Sequence, residues 1–215
     1  MDVESSRQGC RFGVVLLAAG ASRRMGRPKL LLPWGGTTVL EHLITQWREL
    51  GAAQIAVVTP PDHGAMREAL EPWLARGIHA VMNPDPDRGM FSSIQCASAW
   101  DGWRPELTHW LISLGDQPHL LPLTLRQLVA AGCHDPDRIV QPSRAGRGRH
   151  PVWMPRRIFR ELSDSSAANL KMFLAGHSED RRLVAMADTG LDLDMDYPDD
   201  YEAACRLANG GAATG

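Results

Sequence analysis

The amino-acid sequence predicts an α/β fold in which helices cover both faces of a mostly parallel sheet. Apolar runs of strand length alternate with amphipathic segments of helix length, and short turns join them, which is the pattern of repeated βαβ units. Two of the runs, Phe12–Ala19 and Thr108–Leu114, are largely apolar on both sides, as expected for strands buried between two helical layers. A chain of 215 residues suits one such domain, a three-layer αβα sandwich.

The strands are recognised as short runs rich in β-branched and aliphatic residues, and the helices by apolar residues three and four positions apart. The first helix shows both boundary signals, because Thr37 or Thr38 can cap its start and Gly51 ends it. The predicted strands are Phe12–Ala19, Gln54–Thr59, Ile78–Met82, Thr108–Leu114, Arg138–Pro142, Val152–Met154 and the edge strand Arg181–Ala185. The predicted helices run from Thr37 or Thr38 to Leu50, from the Pro60–Asp62 turn to about Arg76, from Gly89 to Trp100, from Pro122 to Gly132, in one or two segments within Pro155–Ala175, and through Ala204–Ala208.

Composition and charge exclude several classes of protein. The formal net charge is −2 and 22% of the residues are charged, so no broad field favours nucleic acid or an anionic membrane. No apolar stretch approaches the roughly 20 residues that span a bilayer, and residues 1–11 lack the apolar core of a signal peptide. We therefore expect a cytoplasmic protein. The four cysteines show no C-x-x-C spacing, which argues against a zinc site or a disulfide framework.

The segment after the first strand carries small and basic residues, including Gly20, Arg24, Gly26 and Lys29. Small residues let backbone N–H groups approach a ligand, Arg24 can grip phosphate oxygens with its planar fork of donors, and Lys29 supplies a compact charge. The pattern favours a polyphosphate-binding loop, and its alternative is an ordinary strand–helix junction. The spacing excludes a Walker A loop, and there is no G-x-G-x-x-G dinucleotide motif.

A family resemblance strengthens the phosphate-loop interpretation. The string Leu17-Ala18-Ala19-Gly20-x-Ser22-x-Arg24-Met25-Gly26-x-x-Lys29 resembles the signature loop of the sugar-nucleotide and molybdenum-cofactor nucleotidyltransferases, and most closely that of the molybdenum cofactor cytidylyltransferases. The resemblance implies a Rossmann-like sheet of the GT-A-like nucleotidyltransferase type. It also implies that Arg24 and Lys29 are catalytic residues on the phosphates of a nucleoside triphosphate. The implied nucleotide-binding residues in this loop are Leu17, Ala18, Ala19, Gly20, Ser22, Arg24 and Lys29.

Two serines open the helix that follows Gly89. Ser92 and Ser93 can cap the free N–H groups at the helix start, or they can hold a substrate phosphate or a base edge. The string Gly89-Met90-Phe91-Ser92-Ser93 resembles a Gly-Met-Ser-Ser-Ser element of the same family, near both substrates. The resemblance implies nucleotide contacts from both serines and an acceptor contact from Ser92, with Phe91 in place of one serine.

Asp116 is a candidate metal ligand. It lies in the string Gly-Asp-Gln-Pro after the strand Thr108–Leu114, and open α/β sheets bind ligands at the carboxyl ends of their strands. An aspartate at a strand end is also an ordinary turn former. Mg²⁺ is typically held by one or two carboxylates together with substrate phosphates. The string resembles the metal-binding turn of the family, which implies that Asp116 is a metal ligand and a catalytic residue.

A second acidic segment precedes the last helix. Residues 194–200 resemble an Asp-x-Asp-Thr-Pro-Glu-Asp element of the family, whose second aspartate supplies the other metal carboxylate, so the resemblance implies that Asp196 and Asp116 hold Mg²⁺ together. We expect Asp194 to be a solvated surface charge. Asp199 and Asp200 are expected to cap the helix or to match its dipole.

The acceptor side of the predicted site is less regular. Residues 143–151 are rich in glycine and arginine, and they form either a solvated loop tip or a contact for an anionic substrate. The family has a Gly-His-Pro or Gly-Asn-Pro element here, which implies acceptor contacts from Arg149 and His150, with Arg149 inserted after Gly148. Residues 163–170 depart from the family pattern Gly-Asp-x-Gly-Ala-Arg, so the acceptor itself stays open.

The matched motifs imply a nucleotidyltransferase domain at residues 12–209, with an N-terminal extension at 1–11 and a flexible tail at 210–215. The implied reaction moves CMP from CTP onto the terminal phosphate of a molybdopterin-type cofactor and releases pyrophosphate, with Mg²⁺ as cofactor. The alternatives are a guanylyltransferase, a sugar-phosphate nucleotidyltransferase, or a non-catalytic protein that binds nucleotide or molybdopterin and delivers it. Expected partners are CTP or another nucleoside triphosphate, a phosphorylated small-molecule acceptor such as molybdopterin, and a molybdoenzyme or its chaperone, with no nucleic acid and no membrane.

Overall fold

A computed structural model describes residues 10–20, 25–61 and 64–211. Seven α-helices and ten β-strands lie within these residues. The strands are β1 (Phe12–Leu17), β2 (Pro33–Trp34), β3 (Thr37–Thr38), β4 (Gln54–Thr59), β5 (His79–Met82), β6 (His109–Leu114), β7 (Ile139–Arg144), β8 (Arg147–Gly148), β9 (Val152–Pro155) and β10 (Arg181–Ala185). The helices are α1 (Val39–Glu49), α2 (Gly64–Leu74), α3 (Met90–Ala99), α4 (Pro122–His134), α5 (Arg156–Glu161), α6 (Leu170–Gly176) and α7 (Pro198–Gly211), with 3₁₀ turns at Lys29–Leu31, Pro86–Arg88, Ser178–Asp180 and Thr189–Asp192.

One large sheet forms the middle layer, in the order β10-β7-β9-β6-β1-β4-β5, with β8 paired to β7. The pairs β1–β4, β1–β6, β4–β5 and β7–β10 are parallel, whereas β9 runs antiparallel to both β6 and β7. From β1 the chain moves outward through β4 to β5 and then returns to the other side of β1 as β6. Such a reversal of strand order opens a crevice at the carboxyl ends of the two strands, here β1 and β6.

Two apolar cores lie on opposite faces of this sheet. Val14 and Leu16 of β1 face a core built with α1, α2, α4 and α7, whereas Val15 and Leu17 face a core built with α3, α5 and α6. The predicted α/β class and three-layer architecture are therefore confirmed. None of the helices in the described part of the chain is both long and apolar enough to cross a bilayer.

The predicted elements are found in the predicted order, with local differences. β1 ends at Leu17, two residues before the predicted end of the strand, and Ala18 leaves it with one hydrogen bond from its N–H to the carbonyl of Val58. The predicted loop 143–151 is largely a hairpin, because β8 turns back onto β7. β2 and β3 form a second hairpin that the sequence did not indicate. α7 reaches Gly211, two residues into the segment expected to be a tail.

Candidate active site

A close approach of two strand ends builds the floor of the site. The N–H of Gly115 donates to the carbonyl oxygen of Leu17 at 3.1 Å, just beyond the ends of β6 and β1. A Cβ at position 115 would lie 2.5 Å from that oxygen, a separation that side-chain carbons do not tolerate. Glycine therefore lets β6 end directly beside the loop that follows β1. Asp116 comes next in the chain and so enters this crevice.

Three charged side chains meet there. The Nζ atom of Lys29 lies 2.7 Å from Oδ1 of Asp196 and 3.3 Å from Oδ2 of Asp116. The lysine side chain is only 12% exposed, because the 3₁₀ turn that carries it is anchored by the buried side chain of Leu30. Both carboxylates therefore contact the same ammonium group. The structure thus brings Lys29, which was predicted to bind the phosphates, together with the two aspartates that were predicted to hold the metal.

Backbone contacts hold the C-terminal segment against the β6 turn. The N–H of Met195 donates to the carbonyl oxygen of Asp116 at 3.3 Å, and the Met195 side chain is fully buried. Oδ2 of Asp200 accepts hydrogen bonds from the N–H groups of Asp196 and Tyr197. This confirms the predicted capping role of Asp200, and it fixes the backbone of Asp196 between the core and the start of α7.

Burial dominates the electrostatics of Asp116, although Lys29 compensates part of its charge. Burial raises its pKa, the attraction of Lys29 opposes that rise, and the negative charge of Asp194 adds to it. Oδ1 of Asp116 is buried and accepts no hydrogen bond from any described residue. An orphaned carboxylate oxygen beside a second carboxylate is a chemically suitable place for a divalent cation with oxygen ligands. No cluster of three or more histidine, cysteine, aspartate or glutamate side chains that could hold a metal by themselves occurs in the described ranges.

The loop after β1 is described only in part. Ala18 and Ala19 are buried and Gly20 is exposed. The N–H groups of Ala19 and Gly20 donate to no backbone carbonyl of a described residue. Ser22 and Arg24, predicted to bind the nucleotide, lie outside the described residues.

Ser92 and Ser93 belong to an internal hydrogen-bond network. Nδ2 of Asn83 donates to the hydroxyl oxygens of both serines at 2.9 Å, and the Ser92 hydroxyl donates to the carbonyl of Gly89. All three polar side chains are at most 4% exposed. The serines bond to neither the lysine nor the two aspartates of the site, and the cap residue of α3 is Gly89, whose φ of 91° favours glycine. Sequence reasoning missed Asn83, which appeared only as part of a polar loop.

The hairpin β7–β8 and the segment after it carry the predicted acceptor residues. Nε of Arg149 donates to Asp192 at 2.9 Å, and Nε of Arg144 donates to the same carboxylate. These hydrogen bonds, first from Arg144 and then from Arg149, hold the pKa of Asp192 below its usual range. Arg149 is thus engaged in an ion pair at the surface. His150 is largely buried, and this burial lowers its pKa.

Gln117 and Asp194 form a contact that the sequence analysis did not foresee. Nε2 of Gln117 donates to Oδ1 of Asp194 at 2.8 Å, although the two residues are 77 positions apart. Asp194 is exposed as expected for a surface charge, but its carboxylate is held in place by this bond. With His150 and Arg149, the pair lines a cavity of about 180 Å³ beside Asp116.

Comparison with known proteins assigns the family. The profile of the MobA-like NTP transferase domain matches residues 14–183, which include Lys29 and Asp116. A nicotine blue oxidoreductase from Paenarthrobacter nicotinovorans is 37% identical over 128 residues, and the match spans only 58% of this chain and 58% of that protein. A molybdenum cofactor cytidylyltransferase from Escherichia coli K12 is 25% identical over 191 residues, 88% of this chain and 93% of that enzyme.

Solved structures agree with this assignment. A crystal structure of Rv0371c from Mycobacterium tuberculosis H37Rv is 29% identical to this chain and superposes with a TM-score of 0.73, covering 93% of this chain and 100% of that chain. A crystal structure of Rv0371c in complex with manganese is also 29% identical and superposes with a TM-score of 0.68, covering 91% of this chain and 98% of that chain. The shared sheet and the matched profile, which spans most of the chain, lead to one conclusion. The chain belongs to the MobA-like NTP transferase domain family.

Proposed function

We propose that this protein is a metal-dependent cytidylyltransferase that moves CMP from CTP onto the terminal phosphate of a molybdopterin-type acceptor and releases pyrophosphate. The observation that carries the proposal is the meeting of Lys29, Asp116 and Asp196 at the carboxyl ends of β1 and β6. A relative of this chain over 88% of its length is a molybdenum cofactor cytidylyltransferase. The Ala-Ala-Gly form of the loop at residues 18–20 also resembles that branch, whereas the guanylyltransferase branch has two glycines there.

Asp116 and Asp196 would hold Mg²⁺ in this proposal. Support comes from the orphaned Oδ1 of Asp116, from the second carboxylate beside it, and from the manganese complex of a structural neighbour. Bound there with the triphosphate, the ion would neutralise charge on the α-phosphate. Two protein carboxylates are sufficient for such a site, because Mg²⁺ takes its remaining ligands from substrate phosphates and water.

The protein's own side chains would supply positioning and positive charge. A phosphate monoester has a second pKa of about 6 and is therefore a dianionic nucleophile at neutral pH, so the reaction needs no general base. The barrier then arises from bringing anions together and from charge on the leaving pyrophosphate. Lys29, together with Arg24 from the same loop, would stabilise that leaving group. The contact of Lys29 with Asp116 also opposes the rise that burial causes in the pKa of that carboxyl.

The nucleotide-binding roles of residues 17–20, Ser92 and Ser93, and the acceptor contacts of Ser92, Arg149 and His150, stay predictions. For the two serines we favour an indirect role, because both hydroxyl oxygens accept from Asn83 and the Ser92 hydroxyl also donates to the carbonyl of Gly89. A molybdoenzyme or its chaperone as recipient of the product, and a cytoplasmic location, belong to the same proposal.

Pyrophosphate release tests the proposal directly. Purified protein is incubated with Mg²⁺, one of the four nucleoside triphosphates, and either molybdopterin cofactor or a sugar phosphate. We expect release with CTP and the molybdopterin cofactor, loss of release with EDTA, and recovery with added Mg²⁺. Faster release with GTP would assign a guanylyltransferase, and release only with a sugar phosphate would assign that class. Thermal stabilisation by CTP and Mg²⁺ without release under any condition would favour the non-catalytic delivery protein.

A further inference from the structure

Two cysteines from distant parts of the chain meet at the edge of the sheet that lies opposite the candidate active site. Cys10 stands two residues before β1, and Cys133 belongs to the last turn of α4, which runs back from the carboxyl end of β6. Both side chains are partly exposed thiols that pack against the same apolar core. The six residues of β1 span about 20 Å, which separates the pair from Lys29 and Asp116.

Packing holds the end of α4 beside Cys10. Sγ of Cys10 lies 3.7 Å from Nδ1 of His109, and the His109 ring stacks on Trp153 with 4.9 Å between the ring centroids. The backbone of α4 lies close against the same indole, because a Cβ at Gly132 would lie 2.4 Å from one of its ring atoms. Gly132 directly precedes Cys133. These contacts bring the two thiols together, and their side chains form a hydrogen bond.

The Cys10 thiol faces two acceptors, the sulfur of Cys133 and Nδ1 of His109. Nε2 of His109 donates to the carbonyl oxygen of Pro136 at 2.7 Å, so the neutral ring leaves Nδ1 as an acceptor, and burial keeps the ring neutral by lowering its pKa. The hydrogen bond with Cys133, and then burial, raise the pKa of Cys10. Cys10 therefore keeps its proton, and we assign the first attack on an oxidant to Cys133.

We propose that Cys10 and Cys133 form a thiol modification site, at which a low-molecular-weight disulfide such as oxidised glutathione introduces one intramolecular disulfide. The sulfur of Cys133 attacks one sulfur of the oxidant and forms a mixed disulfide, and its proton leaves with the first glutathione thiol. The sulfur of Cys10 then attacks Sγ of Cys133 and displaces the second glutathione. The Cys10 proton passes to Nδ1 of His109 and from there to the departing thiolate.

Electrons balance in this exchange. The two protein thiols lose two electrons and two protons, and the glutathione disulfide gains them and leaves as two thiols. Because the two protein sulfurs are already in contact, the second attack is intramolecular and outcompetes further glutathione.

The new bond has a structural consequence. It joins the segment before β1 to the end of α4 and closes a long covalent loop, which restricts the unfolded chain and so stabilises the folded one. The pair lies at the other end of the sheet from the candidate active site, so this inference does not depend on the proposed function.

Oxidised glutathione added to the folded full chain at pH 8, without denaturant, tests the inference. We expect the intact mass to fall by two hydrogen atoms, a non-reducing peptide map to join Cys10 to Cys133, and dithiothreitol to reverse both changes. The oxidised chain should melt at least about 4 °C above the reduced chain, the effect of a typical native disulfide at this size. An unchanged mass, a lasting glutathione adduct, or a bond to Cys96 or Cys205 overturns the inference. An unchanged melting temperature also overturns it, because the bond would then have formed in a distorted chain.

Variants assign the two steps. Cys10→Ser should hold one glutathione on Cys133, because the sulfur that resolves the mixed disulfide is gone, and absence of that adduct overturns the assigned order of attack. Neither Cys10→Ser nor Cys133→Ser should show the rise in melting temperature on oxidation. Cys96→Ser is the matched control, since Cys96 is also a partly exposed thiol, and it should keep both the bond and the rise. Loss of the bond in Cys96→Ser overturns the pairing. If a serine variant does not fold, the peptide map of the unmodified chain still decides the question.

Discussion

Replacement of Asp116 by asparagine should remove most of the turnover while the protein stays as stable as before or becomes more stable. The side chain is 24% exposed, and burial raises its pKa more than the attraction of Lys29 lowers it. The ionised carboxylate therefore destabilises the folded chain at neutral pH, and asparagine removes the charge without changing the size of the side chain. Lys29 does not become an unpaired cation, because its shorter contact, 2.7 Å to Asp196, is kept.

The expected loss of rate follows from the proposed role. Removal of one preorganised group that stabilises the charge of a transition state lowers kcat by about 10²–10³, which is about 2.7–4 kcal/mol at 25 °C. The assay is pyrophosphate release with CTP, Mg²⁺ and acceptor, beside a thermal melt of the same preparation. Asp101→Asn, at an exposed turn position, serves as the control with unchanged activity. Wild-type turnover by Asp116→Asn would refute the site assignment.

The pH dependence of the melting temperature tests the electrostatic part separately. Because the pKa of Asp116 is raised in the folded chain, its protonation contributes stability that is fully present below the usual value of 3.8 and is lost as the pH rises through the raised pKa. The asparagine variant has no such loss. The melting temperature of the variant relative to wild type should therefore rise from pH 4.5 to pH 7.5. A change of 1 kcal/mol shifts the midpoint by about 2–4 °C at this size, so a variant that melts more than about 4 °C below wild type at pH 7.5 contradicts the reasoning.

Three further variants probe the site and the fold. Lys29→Ala should slow pyrophosphate release by a factor of about 10²–10³. It should also lower the melting temperature, because two neighbouring carboxylates lose their shared cation. Full activity of this variant would show that Lys29 does not act in the site. Gly115→Ala places a Cβ 2.5 Å from the carbonyl oxygen of Leu17, so we expect a loss of about 1–3 kcal/mol in denaturant unfolding together with reduced turnover. His177→Gln should lower the melting temperature more at pH 5.5 than at pH 8.5. Burial alone lowers the pKa of His177, but its hydrogen bonds, including one to Glu161, raise it overall, and a raised histidine pKa contributes stability that is lost as the pH rises through it.

Two control substitutions separate these effects from general damage. Lys171→Ala removes the other lysine of the chain, at an exposed position on α6, and should leave pyrophosphate release unchanged. Gly176→Ala adds a Cβ that meets no atom within 4 Å, so its unfolding free energy should stay within about 0.5 kcal/mol of wild type. A large effect at either position would mean that the corresponding site variant reports on something other than its stated contact.

The long buried elements were predictable because their residues carry a periodic or continuous apolar signal. β4 has the predicted bounds, Gln54–Thr59, and the capping box at Thr38 with Glu41 marks the start of α1 as the sequence indicated. Strands β2, β3 and β8 were missed because each has only two residues, too few to show an alternation. The antiparallel direction of β9 could not be predicted either, since a continuous buried run such as Val152–Pro155 looks the same in both directions.

The site residues were predictable one by one but their contacts were not. Lys29 is separated from its two carboxylate partners by 87 and 167 residues, so only the fold of the whole sheet brings them together. The motifs pointed to Lys29, Asp116 and Asp196 by resemblance to a family. Gln117 lies in the Gly-Asp-Gln-Pro string, but the string assigned a role only to Asp116, and the hydrogen-bond partner of Gln117 lies 77 residues away. Asn83 gave no motif signal.

The placement of Asp196 explains how two distant aspartates can form one site before any ligand binds. The backbone bond from Met195 to Asp116 and the buried Met195 side chain attach the C-terminal segment to the β6 turn. Asp200 then fixes the backbone N–H of Asp196 at the start of α7. These contacts use only backbone groups, an apolar side chain and a cap, none of which takes part in the proposed chemistry. The two carboxylates are therefore already ordered in the folded chain. Binding of metal and triphosphate does not have to supply the free energy of ordering them, and so it does not lose affinity for that reason.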